Sequence, residues 1–365
     1  MTSLSREAIT EALRAVREPE LNRDIVSLNM VREVELNGRD VSLKVVLTTP
    51  ACPLKDQIAG EIRKTLSAKF PDIGKIDVRF DAEVRSSRIN ATDEKRIPGV
   101  KNVIAVGSGK GGVGKSTVAV NLALALQKEG AKTGLLDADI YGPSIPIMCG
   151  VKGGEKPRLA EGNRIMPLIR FGLPLMSMGF LISSGEAIIW RGPMLGKMLQ
   201  QFLEQVEWGN LDYLIVDLPP GTGDVQLSLS QLIPLSVAVA VTTPQDVALA
   251  DVARALKMFE MVKVPVLGVI ENMSSFVCPH CHKSAPIFGG EGAVPGKNYK
   301  NLNLPLLGSL PLELATRLSG DEGEPIVVRE PEGEQTRRFR EIARQIAAHQ
   351  SVVNFQQTLE LPTLQ

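Results

Sequence analysis

The stretch Gly109-Lys110-Gly111-Gly112-Val113-Gly114-Lys115-Ser116-Thr117 limits what this chain can fold into more than any other. It fits the phosphate-binding loop pattern G-x-x-x-x-G-K-[ST], which carries meaning only between a strand and a helix. Both flanks suit it. The apolar run Val103-Ile104-Ala105-Val106 comes before, and an amphipathic segment from Val118 to Lys128 follows and stops at Gly130. Glycines let backbone N–H groups close on phosphate oxygens, and a helix N-terminus adds positive potential there. Lys115 is placed to reach the β- and γ-phosphates, and the Ser116 hydroxyl to ligate magnesium. Lys110 is not required by the general pattern.

A loop of this kind needs a domain around it, and 365 residues allow two or three. The 41 basic and 41 acidic side chains cancel, so no global field recruits nucleic acid or an anionic membrane. The opening residues, Met1 to Glu7, lack the apolar core of a signal peptide. No stretch approaches the roughly 18 apolar residues of a membrane span, so a cytoplasmic location is expected. Four cysteines are too few for a disulfide scaffold.

The chain divides by pattern. Ser5 to Val16 reads as a helix with Ile9, Ala12, Leu13 and Val16 on one face. Val31–Leu36 and Val41–Leu47 flank Asn37-Gly38, a strong hairpin signal. Leu54–Phe70 reads as a second helix and Ile76–Phe80 as a strand, which gives a small α+β domain over residues 1–85. The polar segment 86–100, ending Ile97-Pro98-Gly99, reads as a linker. A larger domain is expected over 101–350, and a mobile tail without pattern over 351–365.

In the larger domain, strands are predicted at Val103–Val106, Thr133–Leu136, Tyr213–Val216, Val237–Val241, Val266–Ile270 and Leu306–Leu310. Several are unbroken apolar runs, as expected where helices cover both faces of a parallel sheet. Helices fit at Ser116–Glu129, Met194–Val206, Val225–Leu232 and Ala248–Met261. The alternation predicts an α/β domain with a mainly parallel, doubly wound sheet, whose ligands bind beyond the strands' carboxyl ends. Residues 150–191 break the rhythm and read as an inserted hairpin over the site.

Three further segments fall at such strand ends. Tyr213-Leu214-Ile215-Val216-Asp217 has the form of a Walker B strand, with Asp217 placed to hold magnesium through a water. Pro219-Pro220-Gly221-Thr222-Gly223-Asp224 is a loop with the glycines needed to move when a γ-phosphate leaves. Leu136-Asp137-Ala138-Asp139 adds two carboxylates able to position an attacking water. Together these parts make a nucleotide triphosphatase with ATP and Mg2+ as expected ligands.

With Lys110 beside Lys115, the loop resembles the deviant Walker A signature of the ATPases related to MinD, ParA and the nitrogenase iron protein. The segments Leu136 to Ser144, Trp190-Arg191-Gly192-Pro193-Met194, Asp217 to Asp224 and Glu271-Asn272-Met273-Ser274 are similar to the Mrp/ApbC iron–sulfur carriers. This resemblance spans Lys101 to about His349. Pro19-Glu20, Asp24-Ile25-Val26, Thr48-Thr49-Pro50 and Cys52-Pro53 resemble the iron–sulfur assembly-type domain fused to bacterial members. The resemblance implies a homodimer in which Lys110 acts on the partner's phosphates, Asp139 orients the hydrolytic water and Asn272 contacts adenine. Two departures stand out: Gly107-Ser108-Gly109 where Ser-Ser-Gly is common, and Glu18 where Asp often precedes Pro-Glu.

Cys278-Pro279-His280-Cys281-His282 supplies two thiolates able to face one metal, half of the usual four. A symmetric dimer can supply the other pair. The resemblance implies a 4Fe–4S cluster held between subunits and passed to apoproteins, with loading from a donor. A bridging zinc, with His280 or His282 joining, uses the same sulfurs. A thiol–disulfide pair is a further reading. Cys52 reads equally as a small buried residue or a cluster handler, and Cys149 as structural. A MinD- or ParA-like positioning ATPase remains a rival function, although Val352 to Leu361 lacks the basic residues of a membrane-seeking helix. So does an electron-transfer protein with a resident cluster.

Overall fold

The computed structural model describes residues 4–87, 96–181, 192–281, 283–288, 302 and 304–359. The chain forms two compact units, one of Met1–Arg85 with the chain from Ala347 onward, the other of Ser86–Ile346.

In the first unit, helix α1 (Arg6–Leu13) starts where the Ser5 hydroxyl accepts from Ala8 N. Short strands β1 (Arg17–Glu18) and β2 (Arg23–Asp24) pair antiparallel. Strands β3 (Val31–Asn37) and β4 (Asp40–Leu47) form the hairpin, with Gly38 at φ +64° in its turn. Helix α2 (Lys55–Lys69) then leads to β5 (Ile76–Ala82), which pairs parallel to β4. In β4 the residues Val41, Leu43, Val45 and Leu47 are buried in alternation, and they meet Ile9, Leu13, Ile58, Ile62 and Leu66 from the helices. A period of two facing a period of 3.6 is enough to close this core.

The second unit begins with β6 (Val100–Ser108), the phosphate-loop residues, and α3 (Lys115–Lys128). Next come β7 (Thr133–Asp137), the short helix α4 (Ile145–Met148) and the hairpin β8 (Arg158–Ala160) with β9 (Arg164–Met166). Then follow β10 (Leu168–Arg170), β11 (Leu173–Ser177), α5 (Gly192–Gln205), β12 (Leu211–Asp217) and α6 (Asp224–Leu232). The order continues with β13 (Val237–Thr242), α7 (Asp246–Met261), β14 (Val266–Val277), β15 (Ser284–Ala285) and β16 (Leu306–Leu312). Helices α8 (Leu314–Asp321), α9 (Ile326–Arg329) and α10 (Glu334–Leu359) end it.

Among the described residues, nine strands make one sheet in the order β10-β11-β7-β12-β6-β13-β14, with β15 and β16 both paired to β14. All neighbours are parallel except β10 on β11 and β15 on β14. The chain moves one way from β6 to β7 and the other way to β13, so the loop after β6 opens at the reversal of strand order. That is where an open α/β sheet leaves its ligand crevice. Every residue of α3 from Val118 to Leu126 is buried, Asn121 included, and Asn121 Oδ1 accepts from Val327 N of α9. The helix is therefore enclosed all round rather than amphipathic. No helix among the described residues is long and apolar enough to cross a membrane.

Two expectations need correction. Residues 150–191 are not simply an inserted hairpin: β8 and β9 do form one, but β11 joins the main sheet parallel to β7. Leu173, Leu175, Met176 and Ser177 are all buried there, and a lone five-residue run gives no alternation to read. Residues 182–191, including Trp190 and Arg191, lie outside the described residues. Nor is the segment from Ser351 patternless, since α10 continues through it to Leu359. Its buried positions Gln350, Ser351 and Asn354 are polar, which hides the helical period. Gln350 Nε2 donates to Asn354 Oδ1 at 2.8 Å, Asn354 Nδ2 to Arg85 O at 3.0 Å, and Phe355 packs on the first unit's core. Residues 360–365 of the expected tail lie outside the described residues.

Candidate functional site

The loop after β6 needs its glycines for stated reasons. Gly114, the residue before α3, sits at φ +81°, and a Cβ there would stand 2.2 Å from Asn272 Nδ2. That amide donates to Val113 O at 2.8 Å, so β14 holds the loop from the side. A Cβ on Gly109 would stand 2.3 Å from the backbone of Asp251 in α7. Gly112 is also left-handed, at φ +79°.

Lys115 begins α3 and is 6% exposed. Its Nζ donates to Asp217 Oδ1 at 2.6 Å and lies 3.6 Å from Asp139 Oδ2. Ser116 Oγ donates to Asp217 Oδ2 at 2.6 Å. Asp217 ends β12 directly opposite Asp137 of β7, so the parallel register sets two buried carboxylates side by side. Burial, with Asp217 adjacent, pushes the Asp137 carboxyl up to about 8, against the pull of the Ser177 hydroxyl that donates to it at 2.9 Å. Burial also raises the Asp217 carboxyl, while Lys115 and Ser116 pull it down. The other oxygen of Asp137 accepts from Asp139 N, and Asp139 Oδ1 accepts from Gly142 N at 3.3 Å.

The Ser116 hydroxyl and the Asp217 carboxylate fit a divalent cation. The oxygens of Ser116 and Asp217 are already 2.6 Å apart. Two neighbouring ligands of an octahedral magnesium ion sit about 3 Å apart, so small shifts would admit it, directly or through a water. Held by Ser116 and Asp217, such an ion would offset phosphate charge.

Two clefts flank the loop. One, of about 470 Å³, is lined by Asp139, Tyr141, Pro219, Pro220, Asp224 and Gln226. The other, of about 350 Å³, is lined by Gly114, Thr117, Asn272, Pro311, Glu313 and Phe339 among others, and is roomy enough for a purine. Lys110, expected to reach a partner's phosphate, donates from Nζ to Gln245 Oε1 at 3.1 Å. The structure thus gathers Lys115, Ser116, Asp137, Asp139 and Asp217 at one point, with Asn272 beside the loop. The sequence reading missed Ser177 and Gln245. Gln245 follows β13 by three residues, so the strand-end rule could have flagged it; nothing in the pattern pointed to Ser177.

The cysteine pair directly follows the strand that carries Asn272. Strand β14 does not stop at Ile270 but runs to Val277, and β15 turns back on it through Phe276 opposite Ala285. Cys278 and Cys281 occupy the tip, closed by Cys278 N donating to Lys283 O at 3.0 Å. The Cys278 thiol is held below its usual range by the backbone N–H groups of Cys281 and His280. Cys281 and His280 are exposed, and His282 lies outside the described residues. No group of three metal-binding side chains occurs among the described residues. Cys52 is half-buried with its thiol pushed up to about 11, and Cys149 is buried with its thiol at about 12, burial being the main cause in both.

Known proteins are similar to this chain. Residues 99–347 match the model of the NUBPL iron-transfer P-loop NTPases, and residues 6–78 match an iron–sulfur cluster assembly protein family. An iron–sulfur cluster carrier protein of Synechocystis is 48% identical over 352 residues, 96% of this chain and 99% of the relative. That of Escherichia coli strain K12 is 47% identical over 295 residues, 81% of this chain and 78% of the relative. A nucleotide-binding protein of Archaeoglobus fulgidus, solved with ADP, is 37% identical and superposes with a TM-score of 0.57, covering 67% of this chain and 95% of its own. The cell-division ATPase MinD of Pyrococcus furiosus, 21% identical with a TM-score of 0.52 over 67% of this chain and 98% of its own, shares the fold. Matched over both its units, the chain belongs to the iron-transfer P-loop NTPase family, fused to an iron–sulfur assembly-type domain.

Proposed function

We propose that this protein is an ATP-hydrolysing carrier that binds a labile 4Fe–4S cluster between two copies of itself and transfers it to apoproteins. The observation that carries the reading is the pair of the partly exposed Cys278 and the exposed Cys281 at the tip of the β14–β15 hairpin, half of a four-thiolate set, just past the strand that also touches the nucleotide loop. Exposed ligation by two chains leaves a cluster easier to surrender than a closed four-cysteine pocket does. Relatives named as iron–sulfur cluster carriers support the cargo. Lys110, donating to Gln245, and the exposed Tyr141 and Val247 support a second copy closing over the site. Asp139 orients the attacking water, Lys115 and the loop amides hold the phosphates, Ser116 and Asp217 hold Mg2+, and Asn272 with the smaller cleft takes adenine. Nucleotide state would shift cluster affinity through contacts that differ between dimer arrangements. The N-terminal unit, with Cys52, would dock a donor or recipient, in the cytoplasm and without membrane or nucleic acid as partners.

The test is anaerobic reconstitution with iron, sulfide and zinc counted per dimer, for the wild type and for Cys278→Ala, followed by incubation with an apo-acceptor. About four irons and four sulfides per dimer, lost in the variant and delivered to the acceptor, are expected. One zinc per dimer without sulfide would replace the carrier reading with a structural site.

A further inference from the structure

Gln226 stands out among the buried polar groups. It lies on the inner face of α6, two residues after the Pro219–Asp224 loop, and is 1% exposed. Neither its Nε2 nor its Oε1 has a hydrogen-bond partner among the described residues. Buried amides without partners are costly and uncommon, and each such group in a native fold calls for a reason. Gln226 lines the larger cleft beside Asp139, Pro219, Pro220 and Asp224. Its Nε2 lies 3.7 Å from where a Cβ on Gly107 would stand, so it is tucked under the end of β6, just ahead of the phosphate loop.

We propose that Gln226 is a positioning residue for the attacking water in nucleotide hydrolysis, working with Asp139; this rests on the hydrolase reading of the site. In-line displacement needs a water on the far side of the γ-phosphate from its leaving group. Asp139 and Asp224 line this cleft with acceptors, and Lys115 Nζ lies 3.6 Å from Asp139 Oδ2. A carboxylate accepts one water proton but leaves the oxygen lone pair unaimed. An amide can donate to that oxygen and also accept, which fixes the water's orientation. The amide is sealed from solvent. The connecting loop decides when it meets a water, and Gly221, at φ +94°, with Gly223 gives that loop the freedom to shift. Gly221 N already donates to Ser108 O at 3.0 Å, which ties the loop to β6.

The experiment uses the full chain with magnesium and ATP, and compares wild type with Gln226→Leu, a near-isosteric change that removes both unpaired groups. Steady-state hydrolysis, ADP affinity and the thermal midpoint are read together. Expected is a fall in kcat of at least about tenfold, with KM and ADP affinity within about twofold and an unchanged or higher midpoint. An unchanged kcat beside normal wild-type turnover overturns the proposal alone. A joint loss of kcat, affinity and midpoint also overturns it, by making Gln226 a packing residue. Absence of turnover in the wild type would instead overturn the hydrolase reading on which the proposal rests.

Discussion

Lys115 Nζ and Asp217 Oδ1 form a 2.6 Å ion pair with both side chains almost fully buried. The cation meant for phosphate and the carboxylate meant for magnesium therefore neutralise each other. Breaking such a pair from one side leaves an uncompensated buried charge, at a cost of about 3–5 kcal/mol. Lys115→Met and Asp217→Asn should each lower the thermal midpoint of the nucleotide-free protein, and the double variant should recover most of the loss. Calorimetry of the four proteins checks this, and additive losses would mean the two charges do not depend on each other.

Lys110 has a different environment, donating to the Gln245 amide rather than to a carboxylate. Its removal strands no charge. Lys110→Ala should keep ATP affinity within about twofold yet slow hydrolysis by about a hundredfold or more, as loss of an in-trans cation does. Turnover and equilibrium nucleotide binding measured on one preparation separate the two effects.

The described cysteines should differ in reactivity. Thiolate is the nucleophile, and the backbone donors of Cys281 and His280 favour it at Cys278, while burial disfavours it at Cys52 and Cys149. In the metal-free protein at pH 7.5, iodoacetamide should label Cys278 well before Cys52, with Cys149 last. Peptide mass spectrometry against time gives the order.

Glu20, half-buried beside Glu18, has its carboxyl raised to about 7, by burial first and by Glu18 second. A carboxyl raised in the folded state binds its proton more tightly there than when unfolded. Its contribution is complete below about pH 4.5 and is lost as pH rises through about 7. Screening of a half-exposed group holds the swing to about 1 kcal/mol. Glu20→Gln should flatten the decline of stability between pH 5 and 8, read from denaturant unfolding at each pH.

Phe355 contributes to the N-terminal unit from the far end of the sequence, beneath the Arg23 guanidinium at 5.5 Å. Phe355→Ala should cost about 1–2 kcal/mol, since the ring is only partly buried. Hydrogen exchange should place the loss in residues 4–85 and leave the strands around the phosphate loop as protected as before.

Much of this was legible from residue patterns. The phosphate loop, Walker B strand and parallel strands declared themselves because glycine spacing and unbroken apolar runs have few other uses. The role of Asp137 as a buried neighbour of Asp217 was not legible, because it depends on the register of β7 against β12. The end of α10 was hidden because Gln350, Ser351 and Asn354 fill a buried face with hydrogen-bonded polar groups where apolar ones are expected. Strand β14 was cut short at Glu271-Asn272 since polar residues read as a loop, although Glu271 is buried and accepts from the Ser309 hydroxyl. Gln226 gave no signal at all, since a glutamine on a helix is ordinary until its partners are counted.

The full length of β14 has a mechanical meaning. Asn272, clasped to Val113 O, and Cys278, at the hairpin tip just past β14, are six residues apart, with Met273 left-handed at φ +55° and the register against β16 shifting between Asn272 and Phe276. No flexible tether lies between them. The strand couples the nucleotide loop to the hairpin tip through that bulge: a tilt where Asn272 grips would carry the thiols with it. Four sulfurs that must converge on one cluster tolerate little such movement.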